Sequence, residues 1–400
     1  MPRQHVSLPA GYGRLWSAAT VSALGDGLRV AAIPLLATSV TGDPLAISIV
    51  SAAGFLPWPV LGLLGGAIAD RFDRRRSMWM VNAVRALLMT AAMVSLLVEG
   101  SLPIAALAAL AFLLGSAETV YDNATIGYLP QLLPAESLAV GNARLMTSQL
   151  SGTQLIGPPI GGLLFAIAAA VPLALDAASF AIAAALITSL PRSDRPTRSP
   201  SKDLRTDIAE GLRWLWTSST LRAMAVLTTV LSAVSGALLA MLVVYAHHQL
   251  HVSSIGYGLM LGAFAAGSMA GALSAPRLMR DRSLGHVLAG SVVVTPVVFA
   301  GLAVAPTTAV AALLLAVLGT AVGTWNVASV TTRQRIVPGR LLGRVNSVYR
   351  ASALTFTTIG ALSAGLLTAA TSVTTTLWGC AVLVALGLAL GARGLNRLGR

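Results

Sequence analysis

Charge is what this chain has least of. Of 400 residues only 10% are charged, while 56% are hydrophobic and the mean hydropathy is +0.79. A water-soluble surface cannot be covered with so few ionic groups. Lysine is nearly absent, with Lys202 standing alone against many arginines; this bias suggests a GC-rich genome. Cysteine is reduced to Cys380, inside an apolar stretch, which excludes a disulfide and a cysteine metal site. Met1 to Trp16 lacks the sequence of a charged region, a short apolar core and a small-residue cleavage site, so it does not read as a cleaved signal. The chain also has no nucleophile–base set, phosphate loop or metal cluster, and no enzyme is expected.

What is present is apolar length. A bilayer-spanning helix needs ~20 mainly apolar residues, and such segments recur from Leu15 to Gly391. Twelve spans are predicted, at 15–40, 45–69, 77–98, 102–128, 143–168, 171–190, 221–246, 255–276, 284–304, 307–330, 343–369 and 373–392. The runs are apolar all round rather than alternating, which selects helices over a membrane barrel. The loops at 41–44, 99–101, 169–170, 247–254, 305–306 and 370–372 contain no Lys or Arg, and the opposite set carries the basic residues. Both termini are therefore expected on the cytoplasmic side of a bacterial plasma (inner) membrane. The net charge of +13 is spread over separate loops of one face, so topology explains it and no nucleic-acid partner is expected.

The longest polar stretch, Pro191 to Lys202, precedes an amphipathic piece with Leu204, Ile208, Leu212, Leu215 and Trp216 near one face. It reads as a cytoplasmic linker (191–220) with an interfacial helix, joining six-helix bundles at 1–190 and 221–400. The two parts repeat one another. Gly115, Ala117, Ala124, Pro134, Leu138, Asn142, Gly161 and Leu163 recur 204 positions later as Gly319, Ala321, Ala328, Pro338, Leu342, Asn346, Gly365 and Leu367. Internal duplication of this kind is the architecture of many secondary transporters, with a substrate site between the halves near the midplane.

The turn between the second and third spans is Gly66-Ala-Ile-Ala-Asp70-Arg71-Phe-Asp73-Arg74-Arg75-Arg76. Through Gly66, Asp70, Arg71, Arg74 and Arg75 it resembles the signature of the major facilitator superfamily, departing at Asp73 where the family usually has Gly. The fifth span carries Gly152-x4-Gly157-Pro158-Pro159-Ile160-Gly161-Gly162, which resembles the superfamily's exporter motif. Leu24-Gly25-Asp26-Gly27 and Glu118-Thr119-x-x-Asp122 are similar to the enterobactin-exporter branch. The resemblance implies an all-α membrane protein of twelve transmembrane helices in two pseudo-symmetric six-helix bundles, the major facilitator fold. It also implies that Asp70 sits against the start of span eleven and holds a cytoplasmic gate shut, an anion being favoured at a helix N-terminus. Arg71, Arg74 and Arg75 either bridge the halves at that gate or only set orientation, as any basic loop would. Gly157-Pro158-Pro159 predicts a bend in span five, either for transport direction or as a packing kink.

The spans hold six charges, Asp26, Arg29, Arg85, Glu118, Asp122 and Asp176, all in the first half. Each costs roughly 2.5–3.5 kcal/mol at the bilayer centre and so needs a partner, water or a function. Counting ~1.5 Å per residue from the span edges pairs Arg85 with Glu118 and Arg29 with Asp176, leaving Asp26 without a dedicated partner at the midplane, although Arg29 is also its neighbour on the same helix face. A carboxylate removed from water and short of partners holds its proton more readily, as a proton carrier must. Asp26 and Glu118 are thus the coupling candidates, with Arg85, Arg29, Asp176 and Asp122 around them. The competing view is that all six are structural ion pairs. Tyr121, Gln149, Gln154, Trp325 and Asn326 are candidate substrate contacts. His247, His248 and His251 lack the acid or Cys that would complete a metal set.

The sequence therefore predicts a monomeric secondary exporter of amphipathic small molecules, such as a drug, siderophore or secondary metabolite, working by proton antiport in the lipid bilayer. Such a protein would confer multidrug resistance or siderophore export, with the proton gradient as driving force and no cofactor. Proton-coupled nutrient import and a non-transporting scaffold or sensor are the alternatives.

Overall fold

The computed structural model describes residues 9–59, 61, 73–191, 213–216 and 218–395. Among these, regular structure is helical throughout. The elements are α1 (Ala10–Val40), α2 (Pro44–Phe55), α3 (Arg74–Glu99) and α4 (Ile104–Leu132). α5 runs from Leu138–Leu150 through a π-helical turn, Ser151–Ile156, into Gly157–Ile167. Then come α6 (Ala170–Thr188), α7 (Ser219–Val244), α8 (Ser254–Asp281), α9 (Leu284–Ala303), α10 (Thr308–Ile336), α11 (Gly339–Ala370) and α12 (Val373–Leu395). Among the described residues, 11 of these helices are long and apolar enough to cross a bilayer, and α2 belongs to a shorter apolar helix.

The helix starts follow local chemistry. Ser218, Ser253, Ser283 and Thr307 each accept a backbone N–H of the first turn of α7, α8, α9 and α10, replacing a partner that the helix cannot supply. Asp73 does the same for α3, accepting from Arg76 N at 3.2 Å. The acid that departs from the superfamily pattern is thus an N-cap. Gly100 ends α3 in the left-handed region, at φ 73°, which glycine adopts without a Cβ penalty. α4, α8 and α10 outlast the predicted spans because hydropathy marks where apolar surface ends, whereas backbone hydrogen bonding continues into polar sequence.

The chain divides into two compact units. One is Met1–Val40 with Leu56–Ser199, and the other is Thr41–Phe55 with Pro200–Arg400. The segment carrying α2, numbered within the first bundle by the sequence, is grouped with the second unit, where α2 packs on α11 and α7. Gly365 of α11 makes this approach possible, because a Cβ there would overlap Ser48 Oγ. Most of the expected linker lies outside the described residues. Of its amphipathic positions, Leu215 is buried and Trp216 exposed.

The first unit packs α1, α3, α4, α5 and α6 around Tyr12, Leu15, Met78, Tyr128 and Ile187. In the second, α8 and α10 approach through Gly267, Gly271, Gly319 and Gly323, each set against a backbone carbonyl of the facing helix. Small residues of this kind let membrane helices meet closely, where packing rather than water exclusion drives association. Outward-facing side chains such as Leu87, Val98, Leu313 and Leu390 are 66–79% exposed, a surface suited to hydrocarbon and not to water.

Candidate functional site

Five of the six predicted intramembrane charges converge inside the first unit. Arg29 lies one turn beyond Asp26 on α1 and donates to its Oδ1 at 2.6 Å. Arg85, on α3, donates to the same oxygen at 3.0 Å. Glu118 of α4 stands 3.6 Å from Arg29 and 3.8 Å from Arg85, and Asp176 of α6 is 3.7 Å from Arg29 Nε. The predicted pairs, Arg85 with Glu118 and Arg29 with Asp176, are therefore present only as the longer contacts. Asp26, expected to lack a dedicated partner and to have only Arg29 as a helix-face neighbour, holds the two shortest contacts, with Arg29 and with Arg85. A count of rise along the helices misses this because arginine side chains reach across several ångströms and one guanidinium serves more than one carboxylate.

Burial differs sharply within the cluster. The side chains of Asp176 and Arg85 are 0% and 1% exposed, whereas Glu118 is 34% exposed. Asp176 Oδ2 and Arg29 Nε, both buried, have no hydrogen-bond partner among the described residues and face one another. Asp122 lies one turn beyond Glu118 and is half-buried.

Three neighbours complete the site; Gly25 belongs to the Leu24-Gly25-Asp26-Gly27 motif, whereas Phe180 and Ser179 were not singled out from the sequence. The guanidinium carbon of Arg85 lies 4.2 Å from the ring centroid of Phe180, a cation–π contact favoured where water is excluded. Ser179 donates to the Asp176 backbone oxygen at 2.8 Å. A Cβ on Gly25 would overlap Asp176 Oδ1 and Ser179 Oγ, so this glycine lets α6 bring its acid against α1. The available signal was spacing: Ser179 and Phe180 stand three and four positions after Asp176 on one helix face.

The exporter-like segment is built against the same part of α1. Gly152 packs on Ala23 and Leu24 backbone, Gly157 on Gly27, and Gly161 on Leu28. Gly162 and Pro158 are buried as well, and Pro159 is half-buried. The irregularity expected at Gly157-Pro158-Pro159 takes the form of the π-helical turn immediately before it, and the prolines open the second α-helical segment. There their missing N–H groups and fixed φ are compatible with helix.

Of the gate residues, Gly66, Asp70 and Arg71 lie outside the described residues. Arg74 donates to Gly127 O of α4, and Arg75 to Ile187 O at 3.3 Å and to Thr188 O at the end of α6. Both guanidiniums thus bind carbonyls within the first unit, and Arg75 sits at the negative end of the α6 dipole. Tyr121 is buried in the first unit and Trp325 in the second, Gln149 is half-buried, and Gln154 and Asn326 are exposed. His247 and His248 occupy a π-helical turn, Tyr245–Gln249, and His251 follows it with φ 50°.

A multi-pass helical protein whose membrane segments hold a shared-ion cluster, and whose sequence repeats across two halves, has the build of a secondary transporter. The chain belongs to the family described as transmembrane secretion effector, whose model matches residues 10–397, within the major facilitator superfamily. Multidrug efflux pump Tap of Mycolicibacterium fortuitum is 27% identical over 343 residues, 83% of each chain. Enterobactin exporter EntS of Citrobacter koseri is 25% identical, over 86% of this chain and 82% of its own. The fold matches nucleoside transporter NupG with a TM-score of 0.74, at 13% identity over 97% of this chain and 99% of that one. It also matches a bacterial homologue of the iron transporter ferroportin, in an inward-facing state, at a TM-score of 0.74 and 17% identity over 98% and 100%. The family and relatives are transporters, not enzymes.

Proposed function

We propose that this protein exports amphipathic small molecules, such as a drug, siderophore or secondary metabolite, across a bacterial plasma membrane in exchange for protons. The observation that carries this reading is the sharing of two guanidiniums, Arg29 and Arg85, by three carboxylates, Asp26, Glu118 and Asp176. One negative charge is in excess, so a single proton makes the group neutral in a medium where net charge is costly. Glu118 is the carboxylate open to exchange, being the most exposed of the three and, unlike Asp26, held by its cations only at 3.6 and 3.8 Å. Asp26 anchors both arginines and senses the change through them.

The efflux and siderophore-export names of the relatives support the direction and the class of substrate. Both termini are assigned to the cytoplasmic side by the arginine-rich loops, and the chain works as a monomer by alternating access, with the proton gradient as driving force and no cofactor. Gln149, Gln154 and Asn326 supply polar substrate contacts, with Tyr121 and Trp325 as the aromatic candidates. Asp70 and Arg71 are assigned to the cytoplasmic gate.

The test is flux in inverted vesicles with an acidic interior, using a panel of fluorescent amphipathic compounds and comparing wild type with Glu118→Gln. Gradient-dependent accumulation that Glu118→Gln abolishes is the expected result. Accumulation indifferent to both the gradient and the substitution would overturn proton antiport, and proton-driven movement in the opposite direction would establish an importer.

A further inference from the structure

Away from the charge cluster, the second unit carries a groove of about 300 Å³ where α8 and α9 diverge over α10. One face of α9 forms a wall with Val287, Gly290, Ser291 and Val294, and the floor is Val317, Thr320, Ala321 and Thr324 of α10. From His286 to Val294 the wall runs about 12 Å along the helix. The end nearest the α8–α9 turn is different, being lined by Arg282 and His286. No lining residue is acidic. In the surrounding turn Arg277 and Arg280 are exposed beside a single exposed acid, Asp281.

The rim identifies the medium onto which the groove opens. Leu273, Val293, Val297 and Leu313 on the same three helices, within five residues of lining positions in the chain, are 48–72% exposed, as expected of helix faces that meet acyl chains in a membrane-spanning protein. A ligand matching both parts needs a long apolar body and an anionic head at one end. We infer that this groove binds one anionic phospholipid from the leaflet on the Arg282 side, with an acyl chain along α9 and α10 and the phosphate between Arg282 and His286. Basic pockets between membrane helices recognise such headgroups by charge. The inference does not depend on transport direction or on protons.

The test uses the purified full chain in detergent, titrated with dioleoyl phosphatidylglycerol or dioleoyl phosphatidylcholine and observed by native mass spectrometry. Wild type should retain one phosphatidylglycerol at about fivefold or greater preference over phosphatidylcholine, the factor expected from one basic group at an anionic head. Arg282→Gln with His286→Gln should bring the two lipids to equal retention. Gly290→Leu should lower retention of both, because a Cβ at Gly290 has nothing within 4 Å and a larger side chain fills the groove without clashing. Equal retention of the two lipids by wild type would overturn the assignment, as would a preference unchanged in the double variant. Displacement of the lipid by inorganic phosphate alone, or loss of a dimer rather than of a lipid in Gly290→Leu, would also overturn it. Arg282 and His286 are exposed, so the double variant tests the assignment even if Gly290→Leu fails to fold.

Discussion

Arg85 reaches from α3 to donate to Asp26 Oδ1 on α1 at 3.0 Å, joining residues 59 positions apart in the chain. The same oxygen accepts from Arg29, so one carboxylate fixes two guanidiniums between helices. Removing one partner from a buried ion pair costs about 3–5 kcal/mol, chiefly because the other charge is left without compensation.

Asp26→Asn should therefore lower the thermal midpoint of the purified protein as well as impair transport. Pairing it with Arg29→Gln should deepen the loss, since Arg29 is also the cation nearest Glu118 and Asp176, at 3.6 and 3.7 Å. A midpoint equal to wild type in the single variant would show that the Asp26 contacts do not hold α1 to α3.

Glu118→Gln should behave differently. Its carboxylate is 34% exposed and stands 3.6 and 3.8 Å from its cations, so the stability change should stay within about 1 kcal/mol. Transport by this variant should lose its dependence on the pH gradient. A thermal melt beside the vesicle assay separates loss of coupling from loss of fold.

The α1–α5 contact predicts a steric effect. Gly27 lies against Gly152 O and the Gly157 backbone, and adding a side chain there overpacks a site bounded by main chain. Gly27→Val should destabilise by about 1–3 kcal/mol or more, whereas Gly13→Ala, with nothing within 4 Å of its added Cβ, should be neutral. Equal melting curves for the two variants would refute close backbone packing at Gly27.

Within the basic turn, Arg75→Ala should cost about 1 kcal/mol by removing the cation that holds the last carbonyls of α6. Arg76, whose side chain is exposed, should tolerate alanine within about 0.5 kcal/mol. Chemical or thermal denaturation in one detergent checks the difference, and equal losses would mean that the α6 contact contributes nothing.

Sequence and structure agree where the physics is local or one-dimensional. The apolar runs place helices because a backbone in hydrocarbon must satisfy its own hydrogen bonds, and Ser218, Ser253, Ser283 and Thr307 stand where such helices begin. The candidates Asp26, Arg29, Arg85, Glu118 and Asp176 were legible because charge inside an apolar span needs a reason. Their pairing was not legible. Depth along a helix axis is one coordinate, whereas an ion pair also depends on helix rotation and on side-chain reach.

The sequence by itself determined a membrane-spanning helical chain, its internal repeat, its family and the short set of charges inside the spans. Only tertiary structure decided that Asp26 is the best-partnered acid and Glu118 the most open, that Phe180 covers Arg85, and that the π-helical turn in α5 precedes its prolines. The reason is that hydropathy and helix capping act between neighbours in the chain. The sharing of two guanidiniums among three carboxylates exists only once four helices, α1, α3, α4 and α6, have been brought together at particular rotations by glycine and side-chain packing.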